Sequence, residues 1–232
     1  MPSLRIIVTD WLFIPIDGAL HRDFSGWVYW HGRLMVFAWI VLFPIGILAA
    51  RFFKIMPGQD WPRQLDNKTW WHTHRVTQYG GGLILLLGLA LILFAPENQG
   101  VSSWSHTLLG WIVILMASVQ FASAWLRGTT GGPSENSADG SAIGDHYCMT
   151  PRRRAFEAIH KSMGYFAVIT SAAAVLSGIF FVGAPLWMLL TIVALWLLLA
   201  WLFISLQRRG FQRDTYQAIW GPDPKHPGNR KS

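Results

Sequence analysis

Residues 31–54, HGRLMVFAWIVLFPIGILAARFFK, decide the architecture. The stretch opens on His31, runs through a long apolar segment and closes on Arg51 and Lys54. About 20 predominantly apolar residues are what an α-helix needs to cross a bilayer's hydrocarbon core, and a basic cluster at one end favours the cytoplasmic face. It therefore predicts a membrane-spanning helix with a metal-competent imidazole at one boundary. Three later apolar stretches repeat that opening, with His74, His106 and His160 each near a helix start.

Working outward, residues 55–69 hold Pro57, Gly58, Pro62 and Asn67, so the chain leaves the bilayer there. A second helix is expected over about residues 70–94 and a third over about 104–126, with a short polar turn between them. Residues 128–150 are rich in Gly and Ser and read as a solvated cytoplasmic loop. A fourth helix follows over about 154–181. After a tight turn comes a fifth over about 186–206, apolar throughout and without histidine, and then a basic cytoplasmic tail, 207–232. Residues 1–29 alternate Trp11, Phe13 and Ile16 with Asp10, Asp17, His21 and Arg22, a pattern that suits a membrane surface but is too polar to cross. Arg5 is the sole early basic residue and Asp10 interrupts the apolar run, so no signal peptide is expected. The expected fold is an all-α integral membrane protein: an antiparallel four-helix bundle plus a fifth transmembrane helix, spanning residues 30–206.

Composition agrees. Of 232 residues, 52% are hydrophobic and only 13% charged, against roughly 25% charged in soluble domains. Of the 19 Lys and Arg, all but Arg5, Arg22 and Arg33 fall on one face of a five-crossing topology. The net charge of +7 thus reads as membrane topology, with the N-terminus outside and the C-terminus cytoplasmic, and not as nucleic-acid binding. The single cysteine, Cys148, excludes an internal disulfide and a C-x-x-C-H haem attachment site.

Helices of alternating direction put His31 and His106 near the outer boundary and His74 and His160 near the inner one. In an up-down-up-down bundle the first and third helices are diagonal, as are the second and fourth, with axes roughly 14 Å apart. Two imidazoles can bridge that span through a planar macrocycle. Gly110 and Gly164 follow His106 and His160 by four residues, leaving room one turn along each helix. Arg33 on the outer level, and Arg75, Arg152 to Arg154 and Lys161 on the inner, are available to macrocycle carboxylates. His72 competes with His74 for the inner position; Gln78, one turn on, favours His74. A zinc site lacks a third ligand of convincing spacing at either level. His21, His146 and His226 lie in polar segments and are expected to be solvated. No Gly-rich strand-to-helix motif for flavin or nicotinamide occurs.

These residues resemble the cytochrome b561 family, in particular its bacterial-type, ferric-reductase-like transmembrane domains. The matching pieces are HG, P-x-G and AR in the first helix (His31, Gly32, Pro44, Gly46, Ala50, Arg51) and W-x3-H-x3-Q (Trp70, His74, Gln78). H-x-x-L-G with a late glutamine (His106, Leu109, Gly110, Gln120) and HK-x-x-GY (His160, Lys161, Gly164, Tyr165) complete them. The resemblance covers about residues 30–181. It implies two b-type haems with bis-histidine ligation, pairs His31/His106 and His74/His160, and electron transfer from a cytoplasmic or quinol donor to an external acceptor such as ferric iron. Within these 232 residues no counterpart is expected of the DOMON domain that often precedes such domains or of the first of the six helices of animal and plant members, whose place the 4–30 segment takes. Residues 128–150 resemble the loop of bacterial relatives, which implies a bacterial inner membrane. A second reading is an accessory subunit that anchors and wires a larger respiratory or photosynthetic complex.

Overall fold

The computed structural model describes residues 10–18, 24–94, 103–131 and 143–230. The expectations for Arg5, His21, Arg22 and the middle of the 128–150 loop lie outside the described residues. Among the described residues, five helices are long and apolar enough to cross a membrane: α1 (Gly26–Phe52), α2 (Thr69–Leu93), α3 (Trp104–Trp125), α5 (Pro151–Phe181) and α6 (Leu186–Arg208). Two short helices, α4 (Asp145–Cys148) and α7 (Thr215–Trp220), lie in the connecting and terminal segments. The chain is an all-α, multi-pass membrane protein. A helix satisfies its backbone polar groups internally, which lets these apolar sequences exist in lipid. Helix α6 is largely exposed along its length, as a face turned to lipid must be.

Helix starts and stops follow local chemistry. Helix α5 begins three residues earlier than the apolar pattern alone indicates. Pro151 occupies its first turn, where a missing N–H costs nothing, and Thr150 Oγ1 accepts from Arg153 N at 3.3 Å. Helix α1 is not uniform: Phe37–Leu42 winds as a π-helix, with Phe43 N–H bonding Ala38 O five residues back. Pro44 follows directly and has no N–H to give, so the preceding turn must find another register. Trp39 and Phe43 pack there with centroids 4.5 Å apart and planes tilted by 57°, and Gln78 Nε2 donates to Phe43 O at 3.2 Å. A Cβ at Gly81 would lie 2.7 Å from the Phe43 ring, so glycine is what lets α1 and α2 approach at this point.

The chain divides into two compact units. The first comprises Met1–Ile45, Thr77–Val113 and Val168–Ser205. Its core gathers Ile40, Val175, Ile179, Ala184 and Ile192, with Ile16 packed against them. Ile16 N donates to Ala184 O and Leu186 N to Ile14 O, both at 3.0 Å, which pins the described N-terminal residues to the turn between α5 and α6. Trp11, Phe13 and Ile14 remain exposed on that clasp.

The second unit comprises Gly46–Val76, Ile114–Ala167 and Leu206–Ser232. Here the polar segments are folded. His146 N and Tyr147 N donate to Thr129 O and Thr130 O, and Asp145 Oδ2 accepts from Thr129 N at 3.0 Å. Those bonds hold the Asp145 carboxyl below the usual carboxylate range. Asp214 caps α7 by accepting from Tyr216 N at 2.7 Å, and Tyr216 Oη donates to Tyr147 O. Lys54 is buried with Nζ donating to Arg213 O at 2.9 Å. Burial first, then Lys161, bring its pKa down to about 8.

Two expectations are corrected. His146 is not solvated: it is 1% exposed, packed among Tyr216 and Trp220, because the tail folds back over it. Burial and Arg153 depress its pKa to about 4, with Glu157 and Asp214 opposing. The ends of the 128–150 loop are likewise held in the fold by the hydrogen bonds just described, since Asp145, Thr129 and Thr150 satisfy one another where apolar side chains are few.

Candidate functional site: two histidine pairs

Four half-buried histidines stand in two pairs, one in each unit. In the first unit His31 of α1 faces His106 of α3, with ring centroids 6.1 Å apart and planes at 90°. In the second, His74 of α2 faces His160 of α5 at 6.4 Å and 74°. The structure thus brings together the residues that the diagonal argument paired.

What the rings hold onto fixes their tautomers. His31 Nδ1 is 2.8 Å from Gly88 O and His106 Nδ1 is 3.0 Å from Ala174 O. His74 Nδ1 is 3.0 Å from Gly46 O. A carbonyl can only accept, so Nδ1 carries the proton and Nε2 the lone pair. His160 Nδ1 sits 3.3 Å from Ser123 Oγ. That hydroxyl donates to Gln120 O at 2.9 Å, so it too accepts from the ring. All four side chains are therefore in the state a metal ligand needs, with the outer nitrogen tied to a neighbouring helix.

The donor set fits an iron porphyrin better than a bare ion. Two imidazoles sharing one metal axially through Nε2 have centroids about 6 Å apart, given metal–nitrogen bonds of about 2 Å. Both pairs meet that spacing. No group of three or more His, Cys, Asp or Glu able to hold a metal occurs among the described residues. A site with two protein ligands leaves the equatorial positions to a macrocycle. In the first unit a Cβ at Gly32, Gly80 or Gly110 would meet nothing within 4 Å, so no other side chain crowds those positions.

Other expected site residues fall into place less simply. Gly164 is not a bare patch: Gln120 Nε2 lies 3.5 Å from where its Cβ would be. Arg33 lies over the Trp30 ring at 5.2 Å and Arg75 over Trp71 at 5.7 Å, with Trp71 stacked on His74. Lys161 is bonded to Glu157 at 2.8 Å, Arg153 is buried against the same carboxylate, and Arg152 donates to Leu126 O. The inner basic residues are thus partly committed within the protein, because Glu157 on the same helix face is their nearest anion. His72 is exposed on α2 and joins neither pair.

Sequence reasoning missed the residues behind the paired histidines. Gly178 lies against His106: a Cβ there would come within 2.9 Å of Cε1 and 3.1 Å of Nδ1. Ser177 Oγ adds a 3.3 Å contact to the same ring nitrogen. The available signal was the run of small residues 171–178, SAAAVLSG, since small side chains in a membrane helix mark close approach of a neighbour.

Over 148 residues, 64% of its length, the chain is 32% identical to a cytochrome b561, DM13 and DOMON domain-containing protein of Arabidopsis thaliana. Over 149 residues it is 28% identical to ferric-chelate reductase 1 of Bos taurus. Over 152 residues it is 26% identical to a cytochrome b561 and DOMON domain-containing protein of Arabidopsis thaliana. The match spans only 14%, 22% and 27% of those relatives' own lengths. No family model and no solved structure matches the chain.

Proposed function

We propose that this protein is a cytochrome b561-type electron conduit that holds one haem b between His31 and His106 and a second between His74 and His160. One observation carries the reading: two histidine pairs at axial-ligand spacing, with every Nδ1 committed to a backbone carbonyl or a hydroxyl. The cytochrome b561 and ferric-chelate reductase names of the relatives support it.

A haem held by two histidines supplies one-electron transfer with no open coordination position, which favours outer-sphere exchange. The chain does the rest. Gly88, Gly46, Ala174 and Ser123 orient the imidazoles and hold each in the neutral Nδ1–H form. Apolar α1, α2, α3 and α5 keep water from the rings, and Arg33, Arg75 and Lys161 offer charge to propionates. The Lys and Arg distribution supports an outside N-terminus and a cytoplasmic C-terminus. The proposed activity is electron transfer from a cytoplasmic or quinol donor to an external acceptor such as ferric chelate, with His74/His160 and His31/His106 as the residues that would hold the two groups.

A pyridine haemochrome measurement on purified protein tests this directly. Two haems b per chain, reducible by a membrane-impermeant donor on one side and reoxidised by ferric chelate on the other, are expected. Protein that carries no haem after expression with ample haem supply would sink the proposal.

A further inference from the structure

The two histidine pairs are not gripped alike. In the first, both rings lean on backbone carbonyls at 2.8 and 3.0 Å. In the second, His74 has a carbonyl at 3.0 Å, but His160 has only a hydroxyl at 3.3 Å. That hydroxyl belongs to a closed circuit. Gln120 Nε2 donates to His160 O at 2.8 Å, Ser123 Oγ donates to Gln120 O at 2.9 Å, and the His160 ring returns to Ser123 Oγ. Two residues one turn apart on α3 thus hold both the backbone and the ring of one histidine on α5.

We infer that Ser123 and Gln120 are the positioning residues of His160, and that they leave the His74/His160 site with the higher midpoint potential of the two. The inference rests on the haem reading above. A strong acceptor on Nδ1–H pushes electron density onto the imidazole and stabilises the oxidised metal; a weak one does so less. A neutral hydroxyl near the long limit for a hydrogen bond is the weakest acceptor of the four. Its single hydrogen points to Gln120 O at 2.9 Å, which leaves the hydroxyl as an acceptor for the ring, with Nδ1 protonated and Nε2 available to a metal. Lys161 and Arg153 flank His160 with only Glu157 between them, and this net positive charge acts in the same direction.

Redox titration of protein in nanodiscs, with each wave assigned by His106→Ala and His160→Ala, tests both statements. The His74/His160 wave is expected to be the higher in the unaltered protein. Ser123→Ala should raise that wave further, leave the other in place and weaken haem retention at that site by about 10- to 100-fold. Ser123→Thr, which keeps the hydroxyl, should restore both properties. Ser177→Ala should move its own wave less, because His106 keeps Ala174 O. If Ser123→Ala does not accumulate, Ser123→Cys carries a weaker acceptor of similar shape and reads the same shift. Unchanged potential and retention in Ser123→Ala, a larger shift in Ser177→Ala, or the opposite order of waves in the unaltered protein would overturn the inference. Failure of His160→Ala to remove any haem would instead strike the proposed function itself.

Discussion

Each histidine pair leans on the helices that supply the other pair. Helices α1 and α3 present His31 and His106, backed by α2 and α5 through Gly88 and Ala174. Helices α2 and α5 present His74 and His160, backed by α1 and α3 through Gly46 and Ser123. The exchange teaches that four helices suffice for two histidine pairs if paired ring and supporting acceptor swap roles along their length. The surroundings then differ. The first pair is packed by small residues against an apolar core, and the second sits in a unit with Arg153 and Lys161 paired to the half-buried Glu157.

The most severe way to break the comparison is to remove one of the proposed haem ligands. His106→Ala should lower haem content from two per chain to one, and His160→Ala should remove the other, as read by haemochrome and by which redox wave disappears. Loss of the same wave in both would mean the pairs are wrongly drawn. Next in size is a contrast of glycines. Gly178→Ala puts a methyl into the His106 ring and should weaken the first site by about 1–3 kcal/mol. Gly164→Ala meets only the Gln120 amide at ordinary contact distance and should be nearly neutral. Equal haem loss from the two variants would show that the rings are not held as described.

Acid should act on the second unit through His146. The buried His146 has a pKa of about 4, below its ordinary value near 6.5. Between those values the unfolded segment binds a proton that the folded one refuses, so stability is full above about pH 6.5 and falls as pH drops toward 4. The loss amounts to about 3 kcal/mol at the acid end. Limited proteolysis should release the tail faster at pH 5 than at pH 7, and His146→Leu should blunt the difference. A tail equally protected at both pH values would contradict the burial. Smallest of all, His72→Ala should leave both haems and stability within about 0.5 kcal/mol, since the side chain is exposed.

Much of this was legible in the chain itself. Apolar length marked all five spans to within a few residues, and helix alternation sorted His31 with His106 and His74 with His160. What stayed hidden were partners that carry no chemical label. Gly88 and Ala174 act through carbonyls that every residue has, and Ser123 is one serine among several on an apolar helix. The π-turn before Pro44 could be suspected from the proline, but its exact register depends on packing against α2. His146 misled because polar neighbours suggested solvent, while the segment that buries it lies some 70 residues downstream in Tyr216 and Trp220.

Lys54 gives the folded tail a practical handle. An amine whose pKa lies near 8 is substantially uncharged in mildly alkaline buffer, and so is a far better nucleophile than an ordinary surface lysine. Its hydrogen bond to Arg213 O and its burial nonetheless shield it from reagents in water. An acylating probe at that pH should therefore pass over Lys54 while the tail is docked and mark it promptly once a donor, a partner or a truncation lifts the tail away.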